Sequence, residues 1–454
     1  MGLAAPRALA AILLGGLLMV WPAFLNGYPI LFSDTGAFLA QTVVPLMIWD
    51  KPWVYGPLLA LFHWNITLWG PLLVQGLMLS HLLWLVQRAL RGRATPGAHL
   101  LLLGALATLT ALPWVAALLM PDVFTAVVAL ALFLLGLGRA SLSRREASYL
   151  VLLATLGIAS HLSHLPVALA LLVMTGLLAR ALRPVLAVAA PLALALLLLL
   201  GTNWVGHGRL SLSPYGSTFM LARMIGDGTA ARTVEASCPQ SGWYLCAWAG
   251  RLPGDSDEFL WLPDSPLNRD AAGQPIFLGG VILAPEARAI VAETLRREPL
   301  AVALAALRNF GRQLLLVRIG DTLSRDNLGG SVRPRLVEGF PSAEVARYDA
   351  AAQPADRLPA LAAPLLWPQV PVLLLGATGL AVLAWRLRGP RRAFALFLFA
   401  AVAANALTAG ALSKPHHRYQ ARIAWLLPFG AAALALPRLR PAVPPRDGAA
   451  AGAA

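Results

Sequence analysis

Four groups of residues have types and spacings that could do chemistry. The first is Asp34, in Phe32-Ser33-Asp34-Thr35-Gly36-Ala37-Phe38. The stretch 35–48 that follows is amphipathic, so Asp34 falls at or near a helix N-terminus, where the dipole favours a carboxylate. Such a group can serve as a general base or simply cap the helix. The second is Asp122, in Met120-Pro121-Asp122, and a proline followed by an acid is also ordinary helix-start chemistry. The third is His161 with His164, three apart and on one face if helical. Metal or phosphate binding competes there with a polar turn, and two histidines without a third ligand do not make a zinc site. The fourth is Ser413-Lys414-Pro415-His416-His417-Arg418-Tyr419-Gln420-Ala421-Arg422. Arg418 and Arg422, four apart, share a helix face. With Lys414, His416 and Tyr419 they form a cationic mouth at a helix start, suited to a phosphate. Anchoring on lipid headgroups is the plainer alternative. Tyr55 lies among Trp49, Trp53, Trp64 and Trp69, a composition that reads as an interfacial belt and less specifically as a sugar-lining surface.

The elements that must carry these residues are set by composition. Of 454 residues 58% are apolar and 13% charged, with a mean hydropathy of +0.68. Soluble domains are about a quarter charged, so a soluble enzyme, a disordered chain and a fibre are excluded. The apolar residues fall in blocks of about 20, the length that crosses about 30 Å of hydrocarbon. The blocks 7–26, 67–87, 98–114, 121–138, 148–162, 164–181, 185–202, 368–385, 393–412 and 420–437 predict about ten transmembrane helices in an all-α polytopic membrane protein. The first block has no small-x-small cleavage site after Trp21-Pro22 and reads as an uncleaved span.

The net charge of +15 is not a nucleic-acid signal. Acids and bases balance across 202–366, and nearly all of the excess sits in short links such as Arg88-Arg91-Arg93, Arg139-Arg144-Arg145 and Arg386-Arg388-Arg391-Arg392. Positive links on alternate loops predict both termini in the cytoplasm and 203–366 outside. The chain then divides into a transmembrane module 1–202, an extracytoplasmic domain 203–366, a transmembrane module 367–440 and a disordered tail 441–454. The segment 299–318 is apolar, but Arg308 and Arg312 in its middle are costly in lipid. It is expected to be an amphipathic helix of the outer domain, with a further helix over 285–298. Cys238 and Cys246, both in that domain, are expected to form a disulfide.

The arrangement resembles the GT-C superfamily of polytopic glycosyltransferases, which includes dolichyl-phosphate-mannose–protein mannosyltransferases and bacterial aminoarabinose lipid A transferases. Ser33-Asp34-Thr35-Gly36-Ala37-Phe38 stands where that family places a catalytic acid, just after the first span and before a membrane-parallel helix. Met120-Pro121-Asp122 stands where a second outer-loop acid often sits. His416-Arg418-Tyr419-Arg422 is similar to a late motif that meets the carrier phosphate. Many relatives carry two adjacent acids in the first loop, and here Asp34 stands alone.

The resemblance implies a transferase taking a sugar from a polyprenyl-phosphate carrier, with inversion. Asp34 is then the base and Asp122 a second acid. Arg418 and Arg422 hold the donor phosphate, with Tyr419, His416 and Lys414 in support. His161, His164 and Tyr55 are candidate substrate contacts. Two arginines neutralise a lipid phosphate without a metal, so no cofactor is expected, although Asp34 with Asp122 could hold a divalent cation. Membrane lipids are the other partners. High Ala, Arg and Gly suggest a bacterial inner (cytoplasmic) membrane. A flippase for a lipid-linked precursor and a non-catalytic envelope assembly protein are the alternatives. A flippase would want ionisable groups deep within its spans, and the spans here are nearly free of charge.

Overall fold

The computed structural model describes residues 4–439; the expected disordered tail 441–454 lies outside the described residues. Among the described residues the chain is all-helical, with two isolated β-bridges and no longer strand pairing. Four helices are long and apolar enough to cross a bilayer: Trp69–Arg91, Leu182–His207, Leu358–Arg386 and Gly389–Leu412. Shorter apolar helices run Pro6–Met19, Pro96–Leu109, Val123–Gly136 and His164–Ala179. Large apolar side chains such as Leu101, Leu177, Leu197 and Leu375 point outward from these helices. An exposed apolar surface of that extent belongs in lipid, and the chain is an all-helical membrane protein.

Among the described residues the helices are not ten uninterrupted spans, and proline accounts for several breaks. The block 7–26 divides at Val20 into Ala4–Met19 and Trp21–Asn26, with Pro22 in the first turn of the second helix. The block 98–114 divides at an extended Thr110, just before Pro113 opens Leu112–Ala117. The block 420–437 becomes His417–Ala424 and Leu426–Ala435, with Pro428 in the second. Proline lacks the N–H that continues a helix and fits best in its first turn.

The block 121–138 becomes a different kind of element. Val123–Gly136 has 14 residues, all of them buried. At 1.5 Å per residue it is about 21 Å long, short of a full crossing. Apolar on every side, it packs as a central strut among the helices Trp69–Arg91, Arg144–Ala159, His164–Ala179 and Gly389–Leu412.

The two poles of the strut differ in chemistry. Beyond its C-terminal end lie the arginine-rich links. The Arg88 guanidinium pairs with Glu146 at 2.8 Å and donates to the Ser141 carbonyl at 2.8 Å. Arg91 donates to the Pro437 carbonyl at 3.2 Å, and Arg391 donates to the Leu434 carbonyl. Its N-terminal end carries Asp122 and faces the other candidate residues.

The segment 203–366 forms two units. Residues from Leu221 to Ile290 pack around their own apolar core, including Leu221, Val234, Phe259 and Ile290. The Cys238–Cys246 disulfide ties one loop of this lobe, as the sequence suggests. Residues from Ile319 onward, including Leu328, Leu336 and Tyr348, belong instead to the large core of the membrane helices. Between the two runs the helix Pro299–Leu315, which packs on Gly389–Leu412. It buries Ala305, Asn309 and Gln313 and leaves Leu300, Leu304 and Leu315 exposed. The expected single outer domain is thus one lobe plus a cap that the membrane core shares, because apolar residues of 319–352 join that core and the cap helices pack on Ser33–Val43.

Candidate functional site

The first-loop acid is placed by its backbone. Ile30 donates to the Ala117 carbonyl at 3.0 Å and accepts from the Leu119 N–H at 3.0 Å. This two-bond bridge joins the segment before Asp34 to the one before Asp122. Thr35 strengthens it, its hydroxyl donating to the Leu119 carbonyl at 3.0 Å and accepting from the Phe32 N–H at 3.0 Å. Gln353 completes the clamp. Its amide accepts from the Leu31 N–H at 3.0 Å and donates to the Leu31 carbonyl at 2.7 Å. Nothing in the sequence pattern singles out Gln353, which lies 322 residues from its partner.

The helix after this clamp is Ser33–Val43, with Asp34 in its first turn, where the dipole favours a carboxylate. It ends before 48 because Pro45 cannot extend it. It does not lie free along a membrane: Thr35, Gly36, Phe38, Leu39 and Ala40 are buried beneath the cap at 328–339. Gly36 makes the approach possible, since a Cβ there would stand 2.1 Å from the Ser331 carbonyl oxygen. A Gly36→Ala protein is expected to lose about 1–3 kcal/mol through overpacking, read as a lower melting temperature in detergent. An unchanged melting temperature would mean that the cap is not seated as described.

Five charged side chains converge beside this turn. Asp34 pairs with Lys51 at 3.1 Å and stands 3.9 Å from the Arg418 guanidinium. Arg418 lies 3.8 Å from Asp122, and Arg422 lies 3.3 Å from the same Asp122 oxygen. Asp34 keeps 32% of its side chain exposed, whereas Asp122 keeps 2% and Arg422 1%. The acids therefore occupy different settings, one at an opening and one sealed below it. Asp122 makes no capping bond, which removes the simplest reading of Pro121-Asp122.

Arg422 is fixed from several sides. It donates to Asn405 Oδ1 at 2.9 Å and to the Ser163 hydroxyl at 3.0 Å. Tyr419 lies within cation–π range of both guanidiniums, 5.0 Å from Arg418 and 5.2 Å from Arg422, and Phe32 packs on Arg418 at 4.3 Å. Flat aromatic faces hold a guanidinium in place while its edge stays available to an anion.

Burial pushes the Asp34 carboxyl up, but Lys51 and then Arg418 pull it down further, and it sits below its usual range. Lys51, missed at the sequence level, is raised because Asp34 and Asp50 outweigh its burial. The Tyr55 phenol is pushed up by burial and then by the Asp122 charge. Three buried atoms here have no hydrogen-bond partner: Tyr55 Oη, Asp122 Oδ2 and Arg418 Nη1. Orphaned buried polar atoms are rare and costly, and three in one cluster mark a place for a polar guest.

The histidines divide. The His161 Nδ1 accepts from the Ser163 N–H at 3.2 Å and lies 2.7 Å from the Ser163 hydroxyl, so it supports the group that holds Arg422. Burial, then Arg422 and Arg418, lower its pKa well below the ordinary range. It sits in the turn before the helix rather than on a helix face with His164. His164 is fully buried, with ring nitrogens at 2.7 Å from the Gly157 carbonyl and 2.8 Å from the Thr125 hydroxyl. Both its nitrogens are thus engaged by the protein.

The cationic mouth is smaller than its sequence. Lys414 pairs with Asp255 at 2.6 Å and Asp257 at 3.1 Å, and His416 meets Asp257 at 3.1 Å. These two side chains dock the outer lobe rather than join Arg418. The Arg418 N–H at the helix start is taken by Asp321 at 3.0 Å, so that donor is not open to an anion. Lys414, His416 and the helix terminus drop out because acids from the 203–366 segment reach them first, and Lys51 enters instead. Among the described residues, no group of three or more His, Cys, Asp or Glu side chains is arranged to hold a metal ion.

Fold and site together define an all-helical membrane protein with a charged site at one pole of its helical core. No family model, curated protein or solved structure matches the chain.

Proposed function

We propose that the chain is an integral-membrane glycosyltransferase of GT-C type. In this reading it moves a sugar from a polyprenyl-phosphate carrier to a hydroxyl of an envelope lipid, glycan or protein, with inversion. The observation that carries the reading is the position of Arg418. It stands between a partly open carboxylate, Asp34, and a sealed one, Asp122, and its buried Nη1 has no hydrogen-bond partner. A buried guanidinium edge next to an accessible carboxylate suits a departing sugar-carrier phosphate and the hydroxyl that displaces it at the anomeric carbon.

Asp34 accepts the acceptor's proton as its oxygen bonds to the anomeric carbon. The bond from that carbon to the phosphate oxygen breaks, and its electron pair stays on the phosphate. Arg418 stabilises the growing charge. Asp122 and Arg422 keep Arg418 in place, and Tyr55 offers a hydroxyl to the incoming substrate. Lys51 and Arg418 both hold Asp34 in its charged, weakly basic form. A phosphate that draws Arg418 toward itself leaves Asp34 a better base, which ties proton removal to donor arrival.

The test is transfer in proteoliposomes from a panel of radiolabelled polyprenyl-phosphate sugars to envelope lipids and glycans, comparing wild type with Arg418→Ala. The variant is expected to lose about 10²–10³-fold in turnover, the usual effect of removing one charge-stabilising donor. Unchanged donor affinity and turnover would remove Arg418 from the phosphate and overturn the assignment.

A further inference from the structure

An apolar lip lies on the outer lobe. No charged residue occurs between Asp270 and Glu286. Within that stretch Phe277 is 84% exposed and Ile282 66% exposed, although the lobe on which they stand has a closed apolar core of its own. Their neighbours explain the exposure. The Trp49 ring lies so close to Gly280 that a Cβ there would be 2.3 Å from it. Trp49 also packs against Tyr215 at 6.4 Å, and Tyr215 against His207 at 5.4 Å. Met47 lies on Gly206 in the same way. The loop 277–282 is thereby held beside the His207 end of the long helix Leu182–His207. That end is itself apolar and open, with Val205 81% and Leu210 72% exposed.

We propose that the loop 277–282 inserts into the bilayer leaflet at the His207 end of this helix and anchors the outer lobe to the lipid surface. The partner is a lipid surface because Trp49 and Met47 tie the lip to the end of a helix long and apolar enough to cross the membrane. Only 22% of that helix's most apolar window is buried in the protein, so the lower part of the patch already lies in hydrocarbon. Trp204 is exposed at the boundary, and Arg209 sits over the Tyr215 ring at 5.2 Å. A tryptophan and an arginine at that level fit the headgroup layer. Apolar side chains without a charge between them gain by leaving water there. The inference rests on the membrane reading of the fold and is independent of the chemistry assigned to Asp34.

The experiment places a bimane label on Phe277→Cys, and separately on Ile282→Cys, in the full-length protein. The native cysteines are paired with each other, so labelling is specific. The protein is reconstituted in phosphatidylethanolamine–phosphatidylglycerol vesicles, with and without doxyl lipids. Val205→Cys serves as the lipid-exposed reference and the exposed Ala271→Cys as the aqueous one. Both loop labels are expected to be quenched by shallow doxyl lipids to within about twofold of the Val205 label, and to resist aqueous iodide. Quenching by iodide alone, as for the Ala271 label, would overturn the proposal. So would protection from both quenchers together with oxidative cross-linking between copies, which would make the lip a contact between two chains.

Discussion

An Asp34→Asn protein is expected to bind its donor and fail to turn it over. The substitution removes the basic oxygen but keeps the shape and the helix position of the side chain. General-base removal costs about 10²–10⁴-fold in rate, and turnover in the proteoliposome assay should fall by that factor. Donor affinity should change little, because Arg418 and Arg422 remain. A pH profile separates this role from a structural one. The rate needs Asp34 ionised, so it falls as pH drops through the pKa of this group. Lys51 and Arg418 hold that pKa low. Lys51→Met removes the first of these charges, so the acid limb should move to higher pH with the plateau rate retained. An Asp34→Asn protein of wild-type activity, or an acid limb that stays in place in Lys51→Met, would take the base away from Asp34.

Asp122→Ala is expected to be the most destabilising of the site variants. Asp122 and Arg422 are sealed from solvent, and Arg418 stands 3.8 Å from the same carboxylate. Removing the acid leaves the buried Arg422 guanidinium without a counter-charge and takes from Arg418 one of its two carboxylates. Breaking a buried pair in this way costs about 3–5 kcal/mol, a large part of the stability of most proteins. The loss should appear as early unfolding in a detergent melt. The double variant Asp122→Leu, Arg422→Met removes both charges and should regain most of that stability, since apolar pairs of similar volume replace buried ion pairs at little cost. It should not regain transfer, because Arg418 loses the partner that orients it. Equal melting temperatures for wild type and Asp122→Ala would mean that the pair is not buried as described. Full transfer by the double variant would reduce it to a structural role.

The helical character was legible because composition and hydropathy are sums over the chain and do not depend on which helices meet. The arginine links were legible for the same reason, and several of them meet at the pole opposite Asp122. The number and length of the helices were less so. A 14-residue apolar block reads the same whether lipid or protein surrounds it, and only packing shows that Val123–Gly136 is enclosed on all sides. The division of 203–366 was hidden too, because apolar residues at 319–352 do not announce whether they close on themselves or on spans far along the chain.

The candidate site shows the same division residue by residue. Asp34, Asp122, Arg418 and Arg422 stand out because charge is expensive next to apolar spans, and these four are the ones that meet. Lys414 and His416 stand out equally, yet they pair with Asp255 and Asp257. Lys51, Asn405, Ser163 and Gln353 carry no signal of their own and enter through distance alone. By itself the sequence determined the class of solvent the chain must live in, the helical backbone that such a solvent demands, and the short set of charged residues that lipid would not tolerate without a use. The tertiary structure decided which of those charges neutralise one another and which polar atoms are left unpartnered. The physical reason is range: hydrophobic burial is nearly additive along a chain, whereas an ion pair or a hydrogen bond exists only within a few ångströms.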